Sequence, residues 1–169
     1  MAVLTIHEFP EAVLRRKAAP VTAIDDALQH LIDDMIQTMY AAPGVGLAAP
    51  QVGVSLQLFV IDVTGGREAS GLMTFINPKI IKTEGRLQED EGCLSLPGVY
   101  GPTPRAAHVV LGGMNRTGEV VEVEGEGLLA RALQHELDHL QGTLFFNRMG
   151  PAARDLVIRK FKRAQRQRR

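Results

Sequence analysis

Residues 134 to 139 read QHELDH. His135 and His139 are four apart, so on a helix both rings reach one point, as two ligands of a divalent ion must. Glu136 then lies beside the ion, placed as an acid/base and not as a ligand. Leu128, Ala132, His135, Glu136 and His139 share one face of such a helix, and Leu129, Leu133, Leu137 and Leu140 cover much of the opposite side. A helix apolar nearly all round is buried, and burying two imidazoles and a carboxylate without partners is costly. A metal satisfies them directly. Two core histidines with hydrogen-bond partners are the plainer alternative.

Two histidines do not complete a catalytic site; three protein ligands and one open position are the usual set. In the protease pattern H-E-x-x-H-x-x-G-x-x-H, Gly142 falls on the glycine, but Phe145 holds the third-ligand position. Downstream of His139 the only acid is Asp155, and no histidine follows. The third ligand is therefore expected upstream. Cys93, within DEGCLSLPG, is the candidate: a thiolate beside two imidazoles. A nucleophilic Cys93 with a histidine base would leave the second histidine and Glu136 without roles.

The elements that position these groups are partly visible. The H-E-x-x-H helix runs from about Gly127 to Leu140, with Gly142 as its C-cap. Upstream, TAIDDALQHLIDDMIQTMYA is an amphipathic helix whose Ile24, Leu28, Leu31, Ile32, Met35, Ile36 and Met39 recur at helical spacing. Thr22 with Asp25 resembles a capping pair at its start, and Pro43 and Gly44 end it. The next stretch, APGVGLAAPQVG, has too little bulk for a regular core element. LQLFVIDV, LMTFINP, AAHVVLGG and EVVEVEG then read as short strands separated by turn signals. No helices alternate with them, so the sheet is antiparallel and the class α+β. Pro151 opens a third helix through the C-terminus.

The 169 residues suit one domain, and a formal net charge of zero points to no particular partner. The balance conceals an asymmetry. Residues 154–169 hold eight bases and one acid, and the rest of the chain holds eleven bases against eighteen acids. Such a tail is a solvated helix face or an arm that meets nucleic acid. A single cysteine cannot form an intramolecular disulfide. No apolar run approaches the roughly 20 residues that span a bilayer, and the N-terminus has no apolar targeting core, so an intracellular protein without a membrane segment is expected.

Three stretches together resemble the peptide deformylase family: GVGLAAPQ (44–51), EGCLS (91–95) and QHELDH (134–139). They match its G-x-G-x-A-A-x-Q, E-G-C-x-S and H-E-x-x-H segments in order. The similarity continues outside the motifs, from VLTIHEFPEAVLRRKAAPV through INPKI and TPRAAHV to GTLFFNRM, and so spans essentially the whole chain except the basic tail. Two departures stand out: Asn147 where an acid is common, and MNRTG in place of a more acidic turn. Neither touches a metal ligand.

The resemblance implies antiparallel sheets around a central metal-binding helix, with N-terminal and C-terminal helices. Residues 1–150 would form the deformylase domain, and 151–169 a basic helix or tail packed on it or extending from it. The reaction would remove the formyl group from the formyl-methionine of nascent polypeptides in the cytoplasm, using a water on the metal's open position. Ligand types alone suggest zinc; Fe²⁺, with zinc, nickel or cobalt as substitutes, comes by resemblance. Cys93, His135 and His139 would hold the ion, Glu136 would carry the proton, and the Gln51 amide with the Leu94 backbone N–H would donate to the oxyanion. Gly44, Val45 and Gly46 allow an extended peptide to approach and pair as a strand. Leu128 and Ala132 are expected to wall a slot for the methionine side chain, with a core role as the other reading. Glu91, Arg105 and Asp138 are candidates to orient the ligands. His7, His30 and His108 have no motif around them and are expected to be structural or exposed. A monomer is expected, with a ribosome contact through the tail. The rivals are an H-E-x-x-H endopeptidase and a binding protein with a structural metal, which would need a fourth ligand.

Overall fold

The computed structural model describes residues 2–168. Its centre is a five-stranded antiparallel sheet in the order β1-β2-β3-β6-β7, formed by Gly46–Ala48, Leu58–Ile61, Met73–Glu84, His108–Met114 and Val120–Glu126. A separate hairpin pairs β4 (Leu87–Cys93) with β5 (Leu96–Arg105). Three helices complete the fold: α1 (Asp26–Ala41), α2 (Gly127–Leu140) and α3 (Pro151–Gln167). The α+β class and antiparallel pairing are as the sequence suggests.

The residues of β2, Leu-Phe-Val-Ile, are all buried, because both faces of the sheet are covered. Alternate side chains of a strand point to opposite faces. Leu58 and Val60 join Leu28, Ile32, Met35 and Met39 of α1. Phe59 and Ile61 turn the other way, onto Ala130, Ala132, Leu133 and Leu140 of α2. The sheet is thus held between α1 and the metal-motif helix. Each side chain of this size contributes about 1.5–3 kcal/mol when fully buried. A third cluster joins the hairpin to the C-terminal helix: Leu96 and Val99 meet Phe145, Phe146, Val157 and Phe161.

Several local expectations change. The cap of α1 is Asp25, whose side chain accepts from the Leu28 N–H at 2.9 Å; Thr22 lies outside the helix. Ile24 precedes the helix and is exposed, so it is not part of the apolar stripe. The Gly/Ala/Pro stretch does form a core element: Leu47, Ala48 and Ala49 are fully buried. Its small side chains are what let β1 pack between α1 and α2. The strand read in LMTFINP continues to Glu84, and the two strands of the hairpin have no counterpart in the strands read from sequence. Among the described residues no helix is long and apolar enough to cross a membrane.

Candidate metal centre

The hairpin and α2 bring distant parts of the chain together. Cys93 is the last residue of β4 and pairs with Leu96 across a tight turn. His135 and His139 project from α2, and each of the three residues offers a ligand atom within 4.8 Å of the others. Cys93 Sγ lies 3.4 Å from His139 Nε2. Tetrahedral coordination separates a sulfur and a nitrogen ligand by about 3.6 Å, so the spacing suits a single ion. The two rings differ: burial lowers His135, but its hydrogen bonds with Cys93 and Glu91 outweigh this and push it well above its ordinary value. Burial, with help from the neighbouring His135 and Arg105, pushes His139 well below its ordinary value, which leaves the ring neutral as a ligand must be. Glu136 Oε1 is buried without a hydrogen-bond partner, which marks a position where a proton or a bound group is expected. Burial, then the nearby Glu91 and Asp138 against the pull of His135 and Arg105, pushes the Glu136 carboxyl up to about 7. That places it in the range a general base needs near neutral pH.

Gly44, Val45, Gly46, Gln51, Cys93, Leu94, Leu128, Ala132, His135 and Glu136 all line one cleft of about 510 Å³. His139 is buried and completes the ligand group from within. Gln51 is locked in place: its Oε1 accepts from the Ala48 N–H at 3.0 Å, and its Nε2 donates to Ser95 Oγ at 3.1 Å and lies 3.6 Å from Cys93 Sγ. Leu94 and Ser95 form the hairpin turn between Cys93 and Leu96. A Cβ at Gly44 would meet the Leu94 side chain at 2.8 Å. Gly46 has no room for a side chain either, since a Cβ there would lie 2.6 Å from Glu136 Oε2. The glycine therefore makes space for the acid. Leu128 is half exposed and Ala132 buried, both on the cleft side of α2. Among the described residues β1 pairs with a strand on one side only, and the Ala48 N–H is capped by Gln51.

Glu91, Arg105 and Asp138 form a buried network behind the ligands. Arg105 grips both oxygens of Glu91, at 2.9 and 2.8 Å, and reaches Asp138 at 2.6 Å. Glu91 Oε1 also lies 3.0 Å from His135 Nδ1, which fixes the ring that carries the ligand nitrogen. Burial pushes Glu91 upward, but hydrogen bonds from Arg105 and His135 outweigh it and hold the group at about 2. Asp138 is buried with Glu91 and Arg105. Ser95, Arg131 and Arg148 belong to the same surroundings and were not singled out from sequence. Arg131 ties α2 to β4 through Glu89 Oε2 at 2.9 Å and the Asp90 carbonyl at 2.7 Å. The signal for Arg131 was its place one turn before His135; nothing in the pattern around Arg148 marked it. Asn147 accepts from the Leu144 N–H at 2.9 Å and so supports the short turn after α2, in place of the acid expected there. His7 pairs with Glu11, and His108 with Glu124, away from the centre.

An ion held from two elements, open to a cleft and flanked by a buried acid, can activate water against an amide, and the class so defined is the metal-dependent hydrolases. Within that class the chain belongs to the polypeptide deformylase family, which it matches along residues 3–155. It is 51% identical to the peptide deformylase of Syntrophobacter fumaroxidans over 163 residues, 96% of each chain. With the peptide deformylase of Thermodesulfovibrio yellowstonii it shares 48% identity over 96% of this chain and 98% of the relative. Its fold is similar to the crystal structure of a peptide deformylase from Legionella pneumophila, with a TM-score of 0.94, 44% identity, and 99% and 98% of the two chains covered. A peptide deformylase from Synechococcus elongatus, solved in complex with actinonin, superposes with a TM-score of 0.88 at 43% identity, covering 93% of this chain and 86% of that one.

Proposed function

We propose that this protein hydrolyses the formyl group from the N-terminal formyl-methionine of nascent polypeptides. The observation that carries the reading is the meeting of three ligand atoms within 4.8 Å at the wall of a cleft that also holds the partnerless Glu136 oxygen. Cys93, His135 and His139 would hold the ion. When bound, the ion supplies Lewis acidity that lowers the pKa of water and polarises the formyl carbonyl. The family resemblance favours Fe²⁺, with Zn²⁺, Ni²⁺ or Co²⁺ able to occupy the same ligands.

Glu136 takes the proton of the attacking water on its carboxylate and returns it to the amine that leaves, so one water is consumed and formate and a free amino terminus appear. As the formyl oxygen gains charge, the Gln51 Nε2 amide and the Leu94 N–H donate to it. A well-placed donor of this kind is worth about 3 kcal/mol. The tethering of Gln51 to Ala48 and Ser95 supports this role, because it holds the side chain at the thiolate before substrate arrives. Gly44, Val45 and Gly46 present the edge of β1 away from β2 to the peptide backbone, and Leu128 and Ala132 wall the methionine slot.

Residues 1–150 serve as the deformylase domain, with the basic segment 151–169 packed on the same unit; burial of Val157 and Phe161 against β5 supports this division. We assign the protein to the cytoplasm as a monomer that meets the ribosome through the bases of residues 154–169. Formate release from formyl-Met-Ala-Ser tests the main reading. Cleavage of a blocked internal peptide into fragments, without formate, would overturn this reading in favour of the endopeptidase.

A further inference from the structure

We propose that Arg148 is a positioning residue for the metal ligand His135, acting through Asp138, Arg105 and Glu91. This rests on the reading of Cys93, His135 and His139 as the metal ligands. Arg148 ends the short 3-10 turn Phe145–Arg148 that follows α2. Its guanidinium clasps Asp138 with two bonds, Nη2 to Oδ1 at 2.6 Å and Nε to Oδ2 at 3.1 Å. Asp138 Oδ2 also accepts from Arg105 Nη1. Arg105 in turn holds both oxygens of Glu91, and Glu91 Oε1 is shared between Arg105 Nη2 and the His135 ring. Every link from the half-exposed Arg148 to the ligand is a direct hydrogen bond.

The charges explain why the outermost link matters. Glu91, Arg105 and Asp138 are almost fully buried, with side-chain exposures of 6%, 2% and 8%. Arg105 is the guanidinium that the two carboxylates share; Arg131 lies just beyond hydrogen-bond reach of Glu91, 3.8 Å from its Oε2, and Arg148 supplies the second positive charge on Asp138 from the solvent side. Without it, Asp138 is left with Arg105 alone, and Arg105 is drawn toward that carboxylate at the expense of Glu91. Glu91 Oε1 is the oxygen that orients His135, so the ring loses its fixed direction. The fork of the guanidinium is needed as well as its charge, since the clasp on Asp138 is bidentate. Arg148 itself is half exposed, so its removal takes little packing away.

The test loads the protein with cobalt(II). Visible absorption and the rate of cobalt release to a chelator are measured for wild type, Arg148→Leu and Arg148→Lys. Arg116→Leu, which breaks a remote pair with Asp33, is the control. Loss of a group directly bonded to a metal-bound histidine costs about 10–100-fold in affinity; three links further out than that group, Arg148→Leu should release cobalt about 5-fold faster, with an altered absorption band. Arg148→Lys should fall between it and wild type, and Arg116→Leu should match wild type. Melting temperature, recorded in parallel, separates positioning from a merely structural role. A release rate within about twofold of wild type and an unchanged band in Arg148→Leu overturn the proposal, whatever the melting temperature. If that variant does not fold, wild-type release and absorption in Arg148→Lys overturn it equally. Failure of the wild type itself to bind one cobalt with a thiolate absorption would remove the metal-centre reading, and this inference with it.

Discussion

Replacing Gly46 with alanine tests whether Glu136 works from the position the fold gives it. A methyl group at Gly46 would sit 2.6 Å from Glu136 Oε2 and 2.9 Å from both Cδ and Cγ. Ordinary contact begins at 3.4 Å, so the carboxylate must retreat by about 0.8 Å. β1 cannot yield instead, because Gly46 is paired with Ile61 and Leu47 is fully buried beside it. A displacement of about 1 Å in a reacting group costs on the order of 100-fold in rate. Gly46→Ala should therefore lose about two orders of magnitude in kcat/KM for formate release from a formyl-Met peptide. Metal content should stay at one ion per chain, since the three atoms nearest the new methyl all belong to Glu136. Stability should fall only slightly, because Gly46 does not lie in the left-handed region. Activity within threefold of wild type, at full metal occupancy, would refute the argument that Gly46 and Glu136 compete for one space.

Glu136→Gln should lower turnover by about 10²–10⁴ while metal stays bound, as loss of a general acid/base does; near-normal turnover would remove the proton-transfer role. Asp62 offers a pH test away from the metal. It is fully buried and accepts from Tyr40, from the Thr64 N–H and hydroxyl at 2.9 and 2.6 Å, and from the Gly66 N–H at 3.0 Å. Burial pushes its carboxyl up, but these bonds outweigh it and hold the group below its usual value. The stabilisation is therefore complete above the unfolded value of about 4 and is lost as pH falls through the lower folded value. Asp62→Asn should cost about 2 kcal/mol in urea unfolding at pH 7, with the gap to wild type closing in acid; a gap independent of pH would contradict this. Removal of residues 162–169 begins just past the buried Phe161 and takes five bases with it. It should weaken ribosome association in a salt-dependent way and leave small-peptide turnover unchanged, and equal association at low salt would end the docking idea.

The make-up of the candidate centre was legible because its residue types and spacing are local. Four residues set the two rings of H-E-x-x-H on one helix face, and a helix apolar nearly all round has to be buried, so a buried acid beside two histidines followed from residues 128–140 alone. Cys93 could be reached by elimination, since nothing downstream could serve. What the chain order does not contain is the pairing that brings Cys93 there. LQEDEGC and LPGVYGPTPR alternate poorly and are rich in charge, Gly and Pro, so neither reads as a strand; they pair because Leu96 and Val99 find Phe145, Phe146 and Phe161. The same limit hid the burial of β1. Its Gly and Ala look bulkless in sequence, and only the close approach of α1 on one side and α2 on the other makes that smallness a requirement. Arg148 is the plainest case: an ordinary arginine in the chain, it acquires meaning from a carboxylate ten residues earlier whose burial is decided by the packed fold. Local periodicity determines which side chains share a face, and long-range packing decides which faces meet.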